Sequence, residues 1–349
     1  MHRRAIFLAA LAAIAACRAS TPTPRAAPEA PATTEPTAAA EAPAAPAAPV
    51  EASPEPAPPP IATAPAPAAA GAPAAHVTAA LKLLPAAADV IIGLDIPRLG
   101  TSLLGERFKA ALFADPATLP AACQALAAKD YGAITLAAGR GTLVGVSSGT
   151  LTEQRMVPCL QAMLKSKGGA IATKKIAGRK VYYAVGSADD NGWTAWTKAG
   201  VPVLATSEAA MTAALDPRSP KVDADLVALA NRADHTHAAW IAGRVEADHL
   251  AALGVPPDLV ISDVRFYGWL DHATDLRIDA VLTLASPADA TALEAKLRQL
   301  LAPVRELPDV APLLEGLQLG AHGPDLHVVL ALDAAATAAL VAQLNVAPP

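Results

Sequence analysis

A long proline- and alanine-rich segment limits which part of this chain can fold. Residues 19–75 contain sixteen of the 33 prolines and no aromatic residue. Proline lacks the backbone N–H that helices and sheets use, and Ala, Thr and Glu offer little to bury. We therefore expect residues 17–75 to be an extended, disordered tether, largely of polyproline II character. Residues 76–349 remain, enough for one large domain or two closely packed halves.

The charge of the remaining part argues against one class of partner. Without the four arginines and five glutamates that precede residue 76, this part carries 23 basic and 27 acidic residues, a net charge of −4. A nucleic-acid-binding domain needs a basic excess. We therefore expect no nucleic-acid partner.

The N-terminus has the features of a signal peptide. Arg3 and Arg4 precede residues 5–16, which are all apolar. A run of this length is typical of a signal-peptide core and is shorter than the roughly 20 residues of a membrane-spanning helix. We therefore predict that residues 1–16 are removed.

The apolar run ends in Ile14-Ala15-Ala16-Cys17, which resembles the lipobox of bacterial lipoproteins. The resemblance implies cleavage before Cys17, a diacylglyceryl group on its thiol and, usually, acylation of the new amine. Several acyl chains, at about 0.8 kcal/mol per buried methylene, would anchor the protein stably in a membrane. Arg18 stands where inner-membrane lipoproteins tend to carry Asp, so the resemblance favours the outer membrane, with the domain facing the periplasm or the cell surface. The alternative is an ordinary secretory signal cut after Ala16, which leaves Cys17 as a free thiol.

Hydrophobic patterns in the rest of the chain predict an α+β fold of two similar halves, residues 76–232 and 233–349. Each half has a lone strand, a hairpin, a helix, a second hairpin and a final helix, and together they form mostly antiparallel sheet. The first half has further helical patterns at 102–113 and 119–129. Nine identities between residues 203–215 and 329–340 support an internal duplication. The order of elements also resembles uncharacterised bacterial families of secreted, duplicated α+β domains, which implies no activity.

Two groups of residues resemble ligand sites. The glycines of Gly139-x-Gly141-x-x-x-Gly145 suggest a phosphate loop, but they lie between two strands, so we predict a hairpin turn there. His235 and His237 face one side of a strand start, as two metal ligands would, and the further ligands would come from Glu246, Asp248 or His249. Surface histidines are the commoner outcome of such a pattern, so we expect no metal and no cofactor.

Two further groups stand near predicted hairpin turns. One group is His322 and His327, which flank a turn and would face either each other or solvent. The other is at a second turn, where Asp271, His272 and Asp275 could pair as a base and its orienting group. No Ser or Cys nucleophile can be tied to either group. We therefore predict no catalytic residue.

Aromatic residues cluster in one meander of the first half. Trp193 and Trp196 would face opposite sides of a strand, near Tyr182 and Tyr183. We expect one tryptophan in the core, and the other could mark a ligand or partner surface.

The two cysteines that follow Cys17 are candidates for a disulfide. Cys123 shares a helical stripe with Leu119 and Leu126, and Cys159 lies near the apolar face of the next helix. In a compartment where thiols oxidise, a bridge would close a loop of about 36 residues and contribute roughly 3–4 kcal/mol. The alternative is two buried free thiols.

These observations predict a membrane-anchored envelope lipoprotein that presents a non-catalytic α+β binding or structural domain. Its expected partners are the membrane, through the lipid on Cys17, and an envelope protein or peptidoglycan. One alternative is a periplasmic carrier of an apolar ligand, which needs a deep groove lined by Leu, Val and Ile between the halves. The other is a hydrolase-type enzyme, which needs converging His, Asp and Ser side chains.

Overall fold

The structure is a computed structural model, and it describes only part of the 349-residue chain. The described residues are 61–67, 74–101, 120–124, 126, 128–139, 141–186, 192–246, 263–272, 275–307 and 310–345. The predicted signal peptide, Cys17, most of the predicted tether and the predicted helix at 102–113 lie outside them. Within these ranges, no helix combines the length and the apolar character needed to cross a membrane.

The described strands form a twelve-stranded antiparallel sheet in the order β11-β12-β10-β9-β8-β1-β2-β3-β7-β6-β5-β4. The first seven are β1 Val90–Asp95, β2 Ala133–Gly139, β3 Thr142–Ser147, β4 Ala170–Ile176, β5 Arg179–Val185, β6 Trp193–Trp196 and β7 Pro202–Ala205. The others are β8 Ala239–Glu246, β9 Asp263–His272, β10 Leu276–Thr283, β11 Leu317–His322 and β12 Asp325–Leu332. The predicted α+β class with mostly antiparallel sheet is confirmed.

The two similar halves meet in the middle of the sheet, where β1 pairs with β8. Their register runs from Val90 opposite Gly243 to Leu94 opposite Ala239. Gly93 lies opposite Trp240, and a Cβ atom on Gly93 would come within 1.8 Å of the indole Nε1. The glycine therefore lets the Trp240 ring lie across the joint between the halves.

Helices cover both faces of the sheet. The described helices are α1 Ala75–Leu81, α2 Ile96–Leu99, α3 Ala121–Gln124, α4 Ala128–Tyr131, α5 Glu153–Ser166, α6 Glu208–Leu215, α7 Ala224–Arg232, α8 Pro287–Leu301, α9 Ala311–Glu315 and α10 Ala334–Asn345. Helices α1, α6 and α7 pack on one face, which we call face A, against buried side chains such as Val144, Val181 and Val203. Helix α5 packs on the opposite face, face B, in the first half, and α8, α9 and α10 cover face B in the second.

Helix α5 begins directly after Thr152, although the Thr152 side chain makes no capping hydrogen bond, and it continues through Pro158 to Ser166. The single helix expected over 119–129 is instead two four-residue helices, α3 and α4.

The folded part begins earlier than the sequence predicts, because residues 61–65 lie along the edge strand β11. We call residues 61–65 the strap. Ala62 forms a parallel bridge with Gln318, the Leu319 N–H donates to Ala62 O at 3.0 Å, and the Ala64 N–H donates to Leu319 O at 3.1 Å. Ile61 and Ala64 are buried. An edge strand pairs with any extended segment that offers free N–H and C=O groups, and residues 61–64 offer four consecutive non-proline residues for this.

Candidate functional site

A groove on face B lies between the C-terminal half of α5 and strands β4, β5 and β6. Alternation along the strands directs Ile171, Tyr182 and Thr194 to this face, where they meet the apolar stripe of α5. The groove has a volume of about 140 Å³. Its lining includes Leu160, Met163, Leu164, Ile171, Tyr182 and Thr194, with Lys167 at the end of α5.

Met163 makes this groove unusual. Its side chain is 38% exposed, and among the residues that the structure describes only Leu300, at 45%, is another exposed large hydrophobic residue. A methionine has an adaptable, polarisable side chain that suits a contact surface. Helical periodicity alone does not show that Met163 lies at the open margin of the apolar stripe of α5.

The floor of the groove is held rigidly by Tyr182 and Trp196. Their rings meet edge to face with centroids 6.1 Å apart, and the Trp196 indole donates to Leu151 O at 2.9 Å. The Tyr182 hydroxyl donates to the Glu153 carboxylate at the start of α5. Burial and this hydrogen bond raise the pKa of Tyr182, so the hydroxyl keeps its proton at neutral pH. The groove is therefore formed before any partner arrives.

The second tryptophan lies on the other face of the sheet, as the predicted alternation requires. Trp193 stacks on Tyr183 with ring centroids 4.6 Å apart, and Lys174 Nζ lies 5.4 Å from the Trp193 ring. Lys174 also pairs with Glu208 at 2.5 Å. Trp193 is thus half-buried, with Tyr183 and Lys174 against its ring. The α5 groove is therefore the better candidate for a partner surface than this ring.

Several cationic side chains lie near the groove, and Lys167 is in its lining. Residues 165–180 contain six Lys and Arg and no acidic residue, although the whole chain has a net charge of −5. Lys165, Lys167, Lys175 and Lys180 are exposed. Lys180 lies 3.7 Å from Glu153, whereas Lys175 has no ion pair with a described residue. This basic run can be read directly from residues 165–180, although it belongs to none of the motifs described above.

The groove borders an edge of the sheet. Strand β4 pairs with β5 over seven residues, from Ala170 opposite Val185 to Ile176 opposite Arg179. Within the described part of the chain, no strand pairs with the other side of β4. Its outward backbone groups and the cationic groove therefore belong to one surface.

The opposite edge is closed by the strap, and His322 and His327 hold it there. His322 Nε2 lies 2.9 Å from Ala64 O, and His327 Nδ1 contacts Pro65 O. His327 Nε2 lies 2.5 Å from Asp279 Oδ1, and both side chains are buried. Both histidines therefore contact the strap, His327 as a buried side chain and His322 as a half-buried one.

Arg298 completes the attachment of the strap. Its guanidinium donates to Ile61 O, to Leu319 O at 2.7 Å and to Glu294 Oε1 at 2.9 Å. Glu294 in turn accepts a hydrogen bond from Ala321 N at 2.8 Å. These hydrogen bonds therefore join the strap, β11 and α8 in one network at this edge of the sheet.

The candidate metal ligands His235 and His237 have other contacts. His235 Nε2 donates to Ala230 O at 2.8 Å, and its ring centroid lies 4.6 Å from that of Trp240. Burial lowers the pKa of His235, which favours the neutral ring. His237 lies 3.3 Å from both Asp234 and Asp271 and stacks on Trp269.

Most of the remaining candidates for metal or catalytic roles lie beyond the described side chains, among them Glu246, Asp248, His249 and His272. Asp271 lies 3.3 Å from His237. Among the described residues, no three His, Cys, Asp or Glu side chains are grouped so that they could hold a metal ion.

The glycine motif forms a hairpin, as predicted. Gly139 ends β2, Gly141 occupies the turn with φ 74°, and Gly145 lies inside β3. No described helix begins at this turn, so the motif lacks the N-terminus that a phosphate loop requires.

Cys123 and Cys159 are joined by a disulfide between α3 and α5. Their sulfur atoms are 2.05 Å apart and their Cα atoms 4.6 Å apart. Both side chains are buried. The bridge therefore links α5, which forms one wall of the groove, to the short helix α3.

Comparison with known proteins gives a distant structural likeness. No protein-family model and no curated protein matches the sequence. Among solved structures, crystal form I of the Treponema protein TP0453 is similar, with a TM-score of 0.46 and 13% identity. The alignment covers 75% of this chain and 96% of that one.

Proposed function

We propose that this protein is a lipid-anchored envelope protein whose α+β domain binds a partner through the α5 groove. The observation that carries the proposal is the exposed Met163 side chain in an apolar groove with a cationic rim. Exposed apolar surface bordered by charge is typical of interaction sites. The lipid anchor is supported by the lipobox-like residues Ile14-Ala15-Ala16-Cys17.

The size of the groove favours a docking surface over a carrier site. Small-molecule sites enclose about 300–1,000 Å³. The α5 groove holds about 140 Å³ and lies at one end of the sheet. A carrier was expected to bind between the halves, but there β1 and β8 are directly hydrogen-bonded strands. A groove of this size suits one or two side chains of a larger partner.

The position of the groove also suits an anchored binding protein. The strap, which leads back toward Cys17, lies on β11, and the groove borders β4 at the other end of the strand order. Eleven strand spacings of about 4.8 Å separate the two edges, or roughly 50 Å along the sheet. The groove and the strap therefore lie at opposite edges of the sheet.

The anchor is tested by Cys17→Ala. Labelled palmitate should enter the natural protein and not the variant, and the variant should be released from membranes because it has no acyl chain. Arg18→Ala is the matched control, since it keeps the cysteine and should remain labelled. Equal membrane retention of the natural protein and Cys17→Ala would contradict the proposal.

The binding surface is tested by a photo-crosslinking amino acid placed at Met163 or, as a control, at Leu300. We expect an adduct with one envelope component from position 163 and not from position 300. The component is then identified by mass spectrometry, purified and shown to bind the natural protein but not Met163→Gln. Identical adducts from both positions, or none from position 163, would refute a partner site in this groove.

A further inference from the structure

We propose that β4 accepts an extended acidic segment of a partner protein as an additional antiparallel or parallel strand, with one apolar side chain of that segment in the α5 groove. The inference rests on the proposed function and names the chemistry of the partner. It combines three observations on one surface, which are an unpaired strand edge, an apolar groove and a cationic rim.

The strand edge supplies the backbone part of the recognition. All seven residues of β4 pair with β5 on one side, and no described strand pairs with the other side. An incoming extended segment can therefore form main-chain hydrogen bonds along β4, as peptides do when they extend a sheet. The strap on β11 shows that this sheet does bind an extended segment at an edge.

The groove supplies the side-chain part. Ile171 on β4 points to face B and lines the groove together with Met163 of α5. Every second side chain of an added strand also points to face B. One apolar residue of the partner would therefore lie beside Ile171 and cover the exposed part of Met163.

The charges define the partner further. Lys175 is on the same face of β4 as Ile171 and four residues along, or about 13 Å at 3.3 Å per residue. Lys167 lines the groove at the end of α5. Acidic residues on both sides of the apolar residue would therefore meet a lysine at each end.

A protective role for the lysines is the competing explanation. Natural proteins place Lys on edge strands to prevent edge-to-edge aggregation. That role accounts for the charges, but it needs neither an exposed methionine nor a preformed groove beside the edge. The groove therefore favours a specific partner strand.

The test uses the full mature protein in detergent and a fluorescein-labelled nonapeptide of alternating glutamate and valine with a central leucine. Fluorescence anisotropy should show saturable binding. Met163→Gln and Lys175→Glu should each weaken binding by about tenfold, the effect of about 1.4 kcal/mol. Leu300→Gln and Lys198→Glu are matched controls at exposed positions away from the groove and should bind as the natural protein does.

Three altered peptides and one vesicle preparation separate the possible outcomes. N-methylation of alternate peptide nitrogens, in both registers, should abolish binding, and replacement of glutamate by lysine should do the same. Undiminished binding of both N-methylated peptides would overturn strand addition. Phosphatidylglycerol vesicles that bind in a Met163-dependent way, with no peptide binding, would show a membrane contact instead and would also overturn it.

The result can be separated from that of the proposed function. If the crosslink at position 163 identifies a partner while the peptide does not bind, strand addition alone is refuted. If neither gives a signal, the proposed binding function fails as well. Unchanged thermal unfolding of the four variants confirms that each one is folded.

Discussion

Reducing the Cys123–Cys159 bond should destabilise the folded part by about 4 kcal/mol. The bond joins residues 36 positions apart. Closing a loop of this length removes about 12.8 cal/mol/K from the entropy of the unfolded chain, which is about 3.8 kcal/mol at 25 °C. The ratio of folded to unfolded protein should fall by roughly 600-fold. For a folded part of about 290 residues, the midpoint of thermal unfolding should fall by about 6 °C.

The assay compares the natural mature protein in detergent with and without a phosphine reductant by scanning calorimetry. Reduction is a cleaner perturbation than Cys→Ser, because both cysteines are buried and two serines would also bury hydroxyl groups. A Cys123→Ala/Cys159→Ala variant is the control, and the reductant should not change its midpoint.

Two results would refute this reasoning. Two alkylatable thiols in the unfolded, non-reduced protein would show that the bridge does not form. A bridge that is present but whose reduction changes the midpoint by less than about 1 °C would show that loop closure does not govern its contribution.

Three further predictions concern other parts of the fold. Gly93→Ala should lower the free energy of unfolding in urea by about 1–3 kcal/mol or more, because the added Cβ would overlap the Trp240 indole. An unchanged midpoint of urea unfolding would contradict this packing. Because burial lowers the pKa of His235, the unfolded chain binds that proton more readily, so stability should fall as the pH drops below about 6.5. His235→Gln should reduce this fall between pH 7 and 5, and parallel curves would exclude His235 as the cause. Ile61→Ala should release the strap and move the first thermolysin cleavage from before residue 61 to near residue 75, because it removes a buried side chain, whereas the exposed Thr63→Ala should not.

Local patterns predicted much of the architecture. The hairpin at Gly139–Thr142 and the opposite faces of Trp193 and Trp196 depend on residues close in sequence. Turn chemistry and strand alternation act over a few residues, so they can be read from one chain.

Features that depend on distant residues could not be predicted in this way. Alternation of side chains does not determine which strands pair with each other. It therefore could not predict that β1 pairs with β8 or that β7 pairs with β3. The strap was missed because its pairing uses backbone groups in a segment whose composition indicates disorder. The groove was missed because the exposure of Met163 depends on where α5 meets the end of the sheet.

The strap also has a consequence for the order in which the protein is made. Synthesis proceeds from the N-terminus, so residues 61–65 emerge early, whereas β11 is among the last strands to be completed. His322 and Ala64, which are in contact, are 258 residues apart in sequence. Contacts between residues so far apart in sequence form slowly. Until the strap pairs with β11, the unpaired edge of that strand is prone to aggregation. A chain that ends before residue 317 would lose the strand on which the strap closes.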